Sequence, residues 1–238
     1  MDQMKLERRQ AMAALLAERG EDLLVIPGLG STAWDAAAAG DDDRNFYLWG
    51  AMGGAAMIGL GLALAQPGRR VAVITGDGEM LMGLGSLATI GIQRPPNLAV
   101  IVFDNGVYGE TGMQPSHTQG GVDLIGVARA CGIATCLDVR DKSALADLAH
   151  RLQNLRETLF ARVEIAVDEP PRVLPLRDGV ALKNRFRAAA GIKPSYGTGC
   201  QPAFWTVRSR AFITPRALLN GPSGPARRPG SSVGRARD

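Results

Sequence analysis

The chain has 238 residues, of which 46% are hydrophobic and 21% charged, with three cysteines and a formal net charge of +4. That is room for one good-sized domain with an appendage, and it is too apolar for disorder throughout. Cys131, Cys136 and Cys200 match neither a disulfide framework nor a C-x-x-C zinc pattern, and MDQMKLERRQ lacks the apolar core of a secretory signal, so a reducing, cytoplasmic setting is expected.

Apolar residues at helical spacing (Met4, Ala11, Leu15, Leu16) predict a helix over Met4–Arg19, followed by a short buried strand over Asp22–Ile26 that Pro27 ends. Gly28-Leu29-Gly30-Ser31-Thr32-Ala33 then fits the dinucleotide fingerprint G-x-G-x-x-A. The single acid that should end a second strand about twenty positions on is missing, and an Asp41-Asp42-Asp43 run comes early instead. A Walker A lysine is absent as well. Residues 46–66 carry no charge and are long enough to span a bilayer, yet glycine and alanine dominate them. Gly50-x-x-x-Gly54 suits a membrane contact face or a closely packed soluble helix; we adopt the second reading and expect no membrane span.

Two continuous apolar runs, Val71–Thr75 and Leu98–Phe103, read as strands covered on both faces of a parallel sheet. Helices are predicted over Gly83–Ile92, Asp123–Cys131, Lys142–Leu155 and Val180–Ala190, and further strands over Ile133–Val139 and Ala161–Val167. This alternation predicts an α/β fold with a doubly wound, mostly parallel sheet and helices on both faces. Residues 191–238 form a Pro/Gly-rich tail with eight Lys/Arg and one acid, net +7, leaving 19 of 27 basic and 22 of 23 acidic residues, net −3, in the globular part, 1–190. A basic tail of this kind is a nucleic-acid arm or a solvated, disordered terminus; the acidic globular part favours the second, and no nucleic-acid partner is expected.

Ligands of open α/β sheets gather outside the carboxyl ends of the strands. One strand ends in Gly76-Asp77-Gly78 and the other in Asp104-Asn105-Gly106-Val107-Tyr108-Gly109. If the two strands are neighbours, a carboxylate and an amide oxygen meet at one rim and make a hard-cation site. Mg²⁺ there would be completed by phosphate and water. Gly76 and Gly78 let main-chain amides approach a phosphate, and the helix that follows favours an anion.

GDG followed after 26 residues by Asn105 in NGVYG resembles the thiamine-diphosphate fingerprint. FYLWGAMGGA and GETGMQPSHT resemble the small β subunits of sulfopyruvate and phosphonopyruvate decarboxylases, a likeness covering about residues 20–185. The resemblance implies a thiamine-diphosphate-binding fold and decarboxylation of a small 2-oxo acid to an aldehyde, with thiamine diphosphate and Mg²⁺ as cofactors. It implies Asp77, Asn105 and the main-chain oxygen of Val107 as Mg²⁺ ligands, and Gly76, Gly78, Glu79, Tyr108 and Gly109 around the diphosphate. By the same likeness Met52 lies under the bent cofactor and the Gly50 carbonyl meets its 4'-amino group; Gly30, Ser31 and Thr32 are read as another phosphate-side loop. Two departures, Gly50-Ala51-Met52-Gly53 for the usual GSMG and Glu110 with Met113 for smaller residues, bear on the substrate more than on the metal.

Enzymes of this family use a second, pyrimidine-binding module that supplies an activating glutamate, and only one module fits here. A separate partner subunit, hence a hetero-oligomer, is therefore implied, with the uncharged residues 53–65 part of the interface. His117, in a Gly/Pro/Ser loop past the cofactor motif, is either a catalytic or substrate-binding histidine or an exposed loop residue. His150, within an amphipathic helical pattern, reads as a surface residue. The alternatives are a dinucleotide-binding oxidoreductase and a non-catalytic subunit that keeps the fold.

Overall fold

The computed structural model describes residues 5–192. The chain order is α1 (Arg8–Leu16), β1 (Leu23–Pro27), α2 (Ser31–Ala38), α3 (Ala55–Ala65), β2 (Arg70–Gly76), α4 (Asp77–Met82), α5 (Ser86–Gln93) and β3 (Leu98–Asp104). A two-residue hairpin of β4 (Val107–Tyr108) and β5 (Gln114–Pro115) follows, then α6 (Leu124–Ala130), β6 (Thr135–Val139), α7 (Lys142–Gln153), β7 (Leu159–Glu164) and α8 (Gly179–Ala189).

Five strands form one parallel sheet in the order β1-β2-β3-β7-β6. The apolar runs lie at and beside its centre: Val71–Thr75 of β2 and all seven residues of β3 are buried. Burial on both faces explains why these strands read as continuous rather than alternating. One apolar layer joins α1, α2 and α7 to the sheet through Met12, Leu15, Ala36, Leu145 and Leu148. The other joins α3, α5 and α6 to the opposite face through Leu60, Leu87, Ile90 and Ala128.

The expected α/β architecture is therefore present, with differences at element ends. The helix expected over Met4–Arg19 is α1, Met4 itself lying outside the described residues. The helix expected from Gly83 starts at Asp77 and is interrupted at residues 83–85. At this interruption Gly83 packs on the Gly53 main chain, where a Cβ would overlap the Gly53 carbonyl. α2 was not expected; it begins at Ser31, directly after Gly30 at φ +78°. Of the uncharged stretch 46–66 only Ala55–Ala65 is helical, and no helix among the described residues is long and apolar enough to cross a membrane. Of the basic tail, 193–238 lies outside the described residues.

α5 packs against the end of α6 with no space for a side chain at Gly91, whose Cβ would overlap the Cys131 carbonyl. Main-chain atoms give way less readily than side-chain tips. Gly91→Ala is thus expected to lower stability by about 1–3 kcal/mol, read as a lower urea midpoint at unchanged m-value.

Candidate active site

β2 and β3 are adjacent and parallel, with Gly76 level with Phe103, so the segments that follow them emerge at one rim. Gly76 ends β2 and Asp77 opens α4, which turns the Asp77 carboxyl back beneath the loop that leaves β3. That loop returns through the β4–β5 hairpin, closed by Ser116 N–H to the Gly106 carbonyl at 2.7 Å and Met113 N–H to the Tyr108 carbonyl at 3.0 Å. Alternation then directs Ser116 and Thr118 inward and His117 outward.

The inward pair grips Asp77. Ser116 Oγ donates to Asp77 Oδ2, and Thr118 Oγ1 lies 3.3 Å from that oxygen and 2.8 Å from Ser116 Oγ. Thr118 Oγ1 also donates to Asp104 Oδ1 at 2.7 Å, where the Gly106 N–H is a second donor at 3.0 Å. Two buried carboxylates thus share one hydroxyl bridge, Asp77 at 3% exposure and Asp104 at 2%. Among the described residues only one has a cation: Arg162 Nε meets Asp104 Oδ2 at 2.5 Å. Burial pushes the Asp77 carboxyl above the usual carboxylate range, against the lowering by the Ser116 hydroxyl, and the charge of Asp104 pushes the same way.

Asn105, next in line, is half-buried, and its Oδ1 accepts from the Val107 N–H at 3.0 Å. The carboxylate of Asp77, the amide oxygen of Asn105 and the Val107 carbonyl are all oxygen donors, the chemistry a hard divalent cation prefers. Among the described residues no group of three His, Cys, Asp or Glu side chains converges, so a cation here would need outside oxygens to complete its shell. A buried carboxylate with hydroxyl partners and no cation, beside such oxygens, fits the metal the sequence implies.

The remaining predicted residues are distributed around this rim. No atom lies within 4 Å of where a Cβ on Gly76 would be, whereas on Gly78 it would come 2.6 Å from the Tyr108 ring. Tyr108 therefore lies flat against the start of α4, and its hydroxyl pairs with His117 Nδ1 at 3.1 Å. Gly109 and His117 are exposed. Gly30, Ser31 and Thr32 lie at the turn into α2, with Thr32 buried and its hydroxyl donating to the Gly28 carbonyl at 3.1 Å. Gly30 faces Glu110 across the rim. Gly50 stands clear of neighbours, Met52 is 41% exposed, and the turn between them holds Ala51 at φ +56°. Gly53, at φ +88°, backs onto Gly83 at the end of α4, which brings this turn to the same end of the sheet. Glu79 is buried beneath the rim, its Oε2 accepting from Thr75 Oγ1 at 2.7 Å and the Leu29 N–H at 3.0 Å.

The Asp41–Asp43 run is bound elsewhere. Arg185 holds Asp41 with two bonds of 2.7 and 2.8 Å, and Arg44 with Arg19 holds Asp42, whose carboxyl lies at about 2 chiefly because of the Arg44 bonds. Asp41 and Asp42 thus brace the fold and do not stand in for the ribose-binding acid that the dinucleotide reading of Gly28–Ala33 lacks. Ser116, Thr118, Asp104 and Arg162 were not singled out in the sequence. An arginine after the apolar Leu-Phe-Ala of the strand LFARVE was the available sign, since a charge there needs a buried partner.

A parallel sheet with an oxygen-rich rim at the ends of β2 and β3 is the ligand-binding architecture of open α/β folds, and comparison with known proteins specifies the family. Residues 30–165 match the family described as thiamine pyrophosphate enzyme, C-terminal TPP binding domain, and the chain belongs to that family. It is 36% identical over 175 residues to the sulfopyruvate decarboxylase subunit beta of Methanocaldococcus jannaschii, covering 69% of this chain and 90% of that protein. It is 45% identical over 139 residues to a phosphonopyruvate decarboxylase of Streptomyces viridochromogenes, covering 57% of this chain but only 34% of that longer relative. Among solved structures, benzoylformate decarboxylase from Polynucleobacter necessarius superposes with a TM-score of 0.57 at 20% identity, covering 72% of this chain and 35% of that one, a likeness of fold.

Proposed function

We propose that this chain is the diphosphate-binding subunit of a thiamine-diphosphate- and Mg²⁺-dependent lyase of the cytoplasm. It would decarboxylate a small 2-oxo acid of the sulfopyruvate or phosphonopyruvate kind to an aldehyde. The observation that carries this reading is the buried Asp77 carboxylate, held by hydroxyls and lacking a cation, one strand away from Asn105. The relatives named as sulfopyruvate decarboxylase β subunits and phosphonopyruvate decarboxylases support the substrate class.

Asp77, Asn105 and the Val107 carbonyl would hold Mg²⁺. The amides around Gly76, Gly78 and Gly109, with the turn Gly30-Ser31-Thr32, would receive the diphosphate, and Tyr108 would wall it. Gly50 and Met52 would meet the other end of the cofactor. The bound cofactor supplies a carbon nucleophile and an electron sink for the leaving carboxylate. On this chain His117 is the group placed to serve the substrate: Tyr108 occupies Nδ1, so Nε2 is the nitrogen left to bind an acidic group or move a proton.

A pyrimidine-binding partner with the activating glutamate would complete the site. The surface that suits it is the uncharged face of α3 and α5, where Met57, Leu64 and Ile92 are 43%, 50% and 78% exposed, with Met82 at 63% beside them. Calorimetric titration of the full chain with Mg²⁺ and thiamine diphosphate, alone and with a candidate partner, tests the proposal together with CO₂ release from sulfopyruvate and phosphonopyruvate. Binding that needs the metal, and turnover that needs the partner, are expected. Heat of binding unchanged by a chelator, or no binding under either condition, overturns it.

A further inference from the structure

Glu79 is the buried carboxylate for which the proposed chemistry has no direct use. It is 4% exposed, and the influences on its charge are burial and hydrogen bonds, with no cationic side chain among them. Carrying such a group inside a protein is costly, since a buried charge without a counter-charge forfeits its hydration. Its contacts show what the cost obtains. Oε2 takes the Leu29 N–H from the loop after β1 and the Thr75 hydroxyl from the end of β2. Oε1 has no hydrogen-bond partner of its own. Glu79 itself belongs to α4, whose far end at Met82 and Gly83 packs against Gly53. One side chain therefore joins the loop after β1 and the end of β2 to the helix that carries the Gly53 turn. Gly28 makes the arrangement possible, because a Cβ there would overlap Glu79 Oε2.

We infer that Glu79 is a positioning residue: its carboxylate sets the Gly28–Thr32 turn against α4, the helix whose far end carries the Gly50–Gly54 turn, so that both ends of the cofactor are met at once, and it does not touch the cofactor. The inference rests on the proposed cofactor reading and replaces the direct diphosphate contact expected for Glu79 from the sequence.

The test uses the full chain and two probes, Mg²⁺ with thiamine diphosphate and Mg²⁺ with inorganic pyrophosphate, each titrated calorimetrically, alongside thermal unfolding. Glu79→Gln keeps the size and one acceptor oxygen; it is expected to weaken thiamine diphosphate binding about tenfold or more, the loss that one charged hydrogen bond represents. Pyrophosphate, too short to reach the Gly50–Gly54 turn, is expected to weaken by less. Thr75→Val removes only one donor in a residue of equal size, and about threefold to tenfold weaker thiamine diphosphate binding is expected from it; it decides the matter if Glu79→Gln does not fold. A lower thermal midpoint with both affinities unchanged would make Glu79 a stabilising residue alone and overturn the inference. Equal weakening of both probes would overturn it in favour of direct contact. Wild-type protein that binds neither probe would overturn the cofactor reading itself, a result distinct from either.

Discussion

Asp77→Asn is expected to weaken Mg²⁺-dependent thiamine diphosphate binding at least about a hundredfold while leaving the free protein as stable as wild type or more so. The two effects have one cause. Even outer partners of a metal contribute about 10–100-fold to its affinity, and the proposed ligand contributes more. The same carboxylate, 3% exposed and without a cation, is held above its ordinary pKa by burial, so its charged form is disfavoured in the folded state. The sign follows from linkage. A carboxyl with a raised folded value binds its proton more tightly folded than unfolded. Stability from this group therefore falls as pH rises from the unfolded value through the folded one, and the penalty is complete above the latter. The asparagine variant is free of that penalty and keeps an oxygen that accepts from Ser116. Each 1 kcal/mol recovered would raise the midpoint by about 2–4 °C. The midpoint gap between variant and wild type should be widest at high pH, shrink as the pH falls toward the ordinary carboxylate range, and reverse when Mg²⁺ and cofactor are added to both. A variant that binds the cofactor with wild-type affinity would remove the metal assignment.

The parts of this molecule legible in its sequence are those whose cause is local. Val71–Thr75 and Leu98–Phe103 had to be central parallel strands because nothing polar interrupts them, and the segments that end them could then meet only at one rim. Asp77 and Asn105 were accessible for that reason. α2 was hidden because Gly30-Ser31-Thr32 serves as both a phosphate-type turn and a helix start, and the sequence favoured the turn. The start of α4 was misplaced because Gly76-Asp77-Gly78 looks like loop, whereas the break at Gly83 lies against the Gly53 main chain, thirty residues away in sequence and invisible there. Distance in the chain also concealed the grip on Asp77. Ser116 and Thr118 reach it only because the β4–β5 hairpin folds the loop back, and Leu29, the amide partner of Glu79, is likewise fifty residues away in sequence.

Arg162→Met is expected to cost about 3–5 kcal/mol of stability, the range for removing one partner of a buried ion pair. Arg162 leaves β7 where Val102 of β3 lies level with it, and its Nε reaches Asp104 Oδ2, while Nη1 continues to Asp138 Oδ1 at 3.2 Å and Glu164 Oε2 at 3.7 Å. Without the guanidinium, Asp104 would face Asp77 across the Thr118 hydroxyl with no cation on either. Removing the charge that lost its partner should restore most of the stability, so Arg162→Met with Asp104→Asn is expected to be more stable than Arg162→Met alone. The asparagine oxygen still accepts from Thr118 and the Gly106 N–H. Millimolar Mg²⁺ should raise the midpoint of Arg162→Met by more than it raises wild type, because both carboxylates then seek the one cation that can neutralise them. A double-mutant cycle in urea measures the coupling. If Asp104→Asn fails to rescue, Arg162 serves Asp138 and Glu164 instead, and Asp77 then owes its lack of a counter-charge to something other than the pairing of its neighbour.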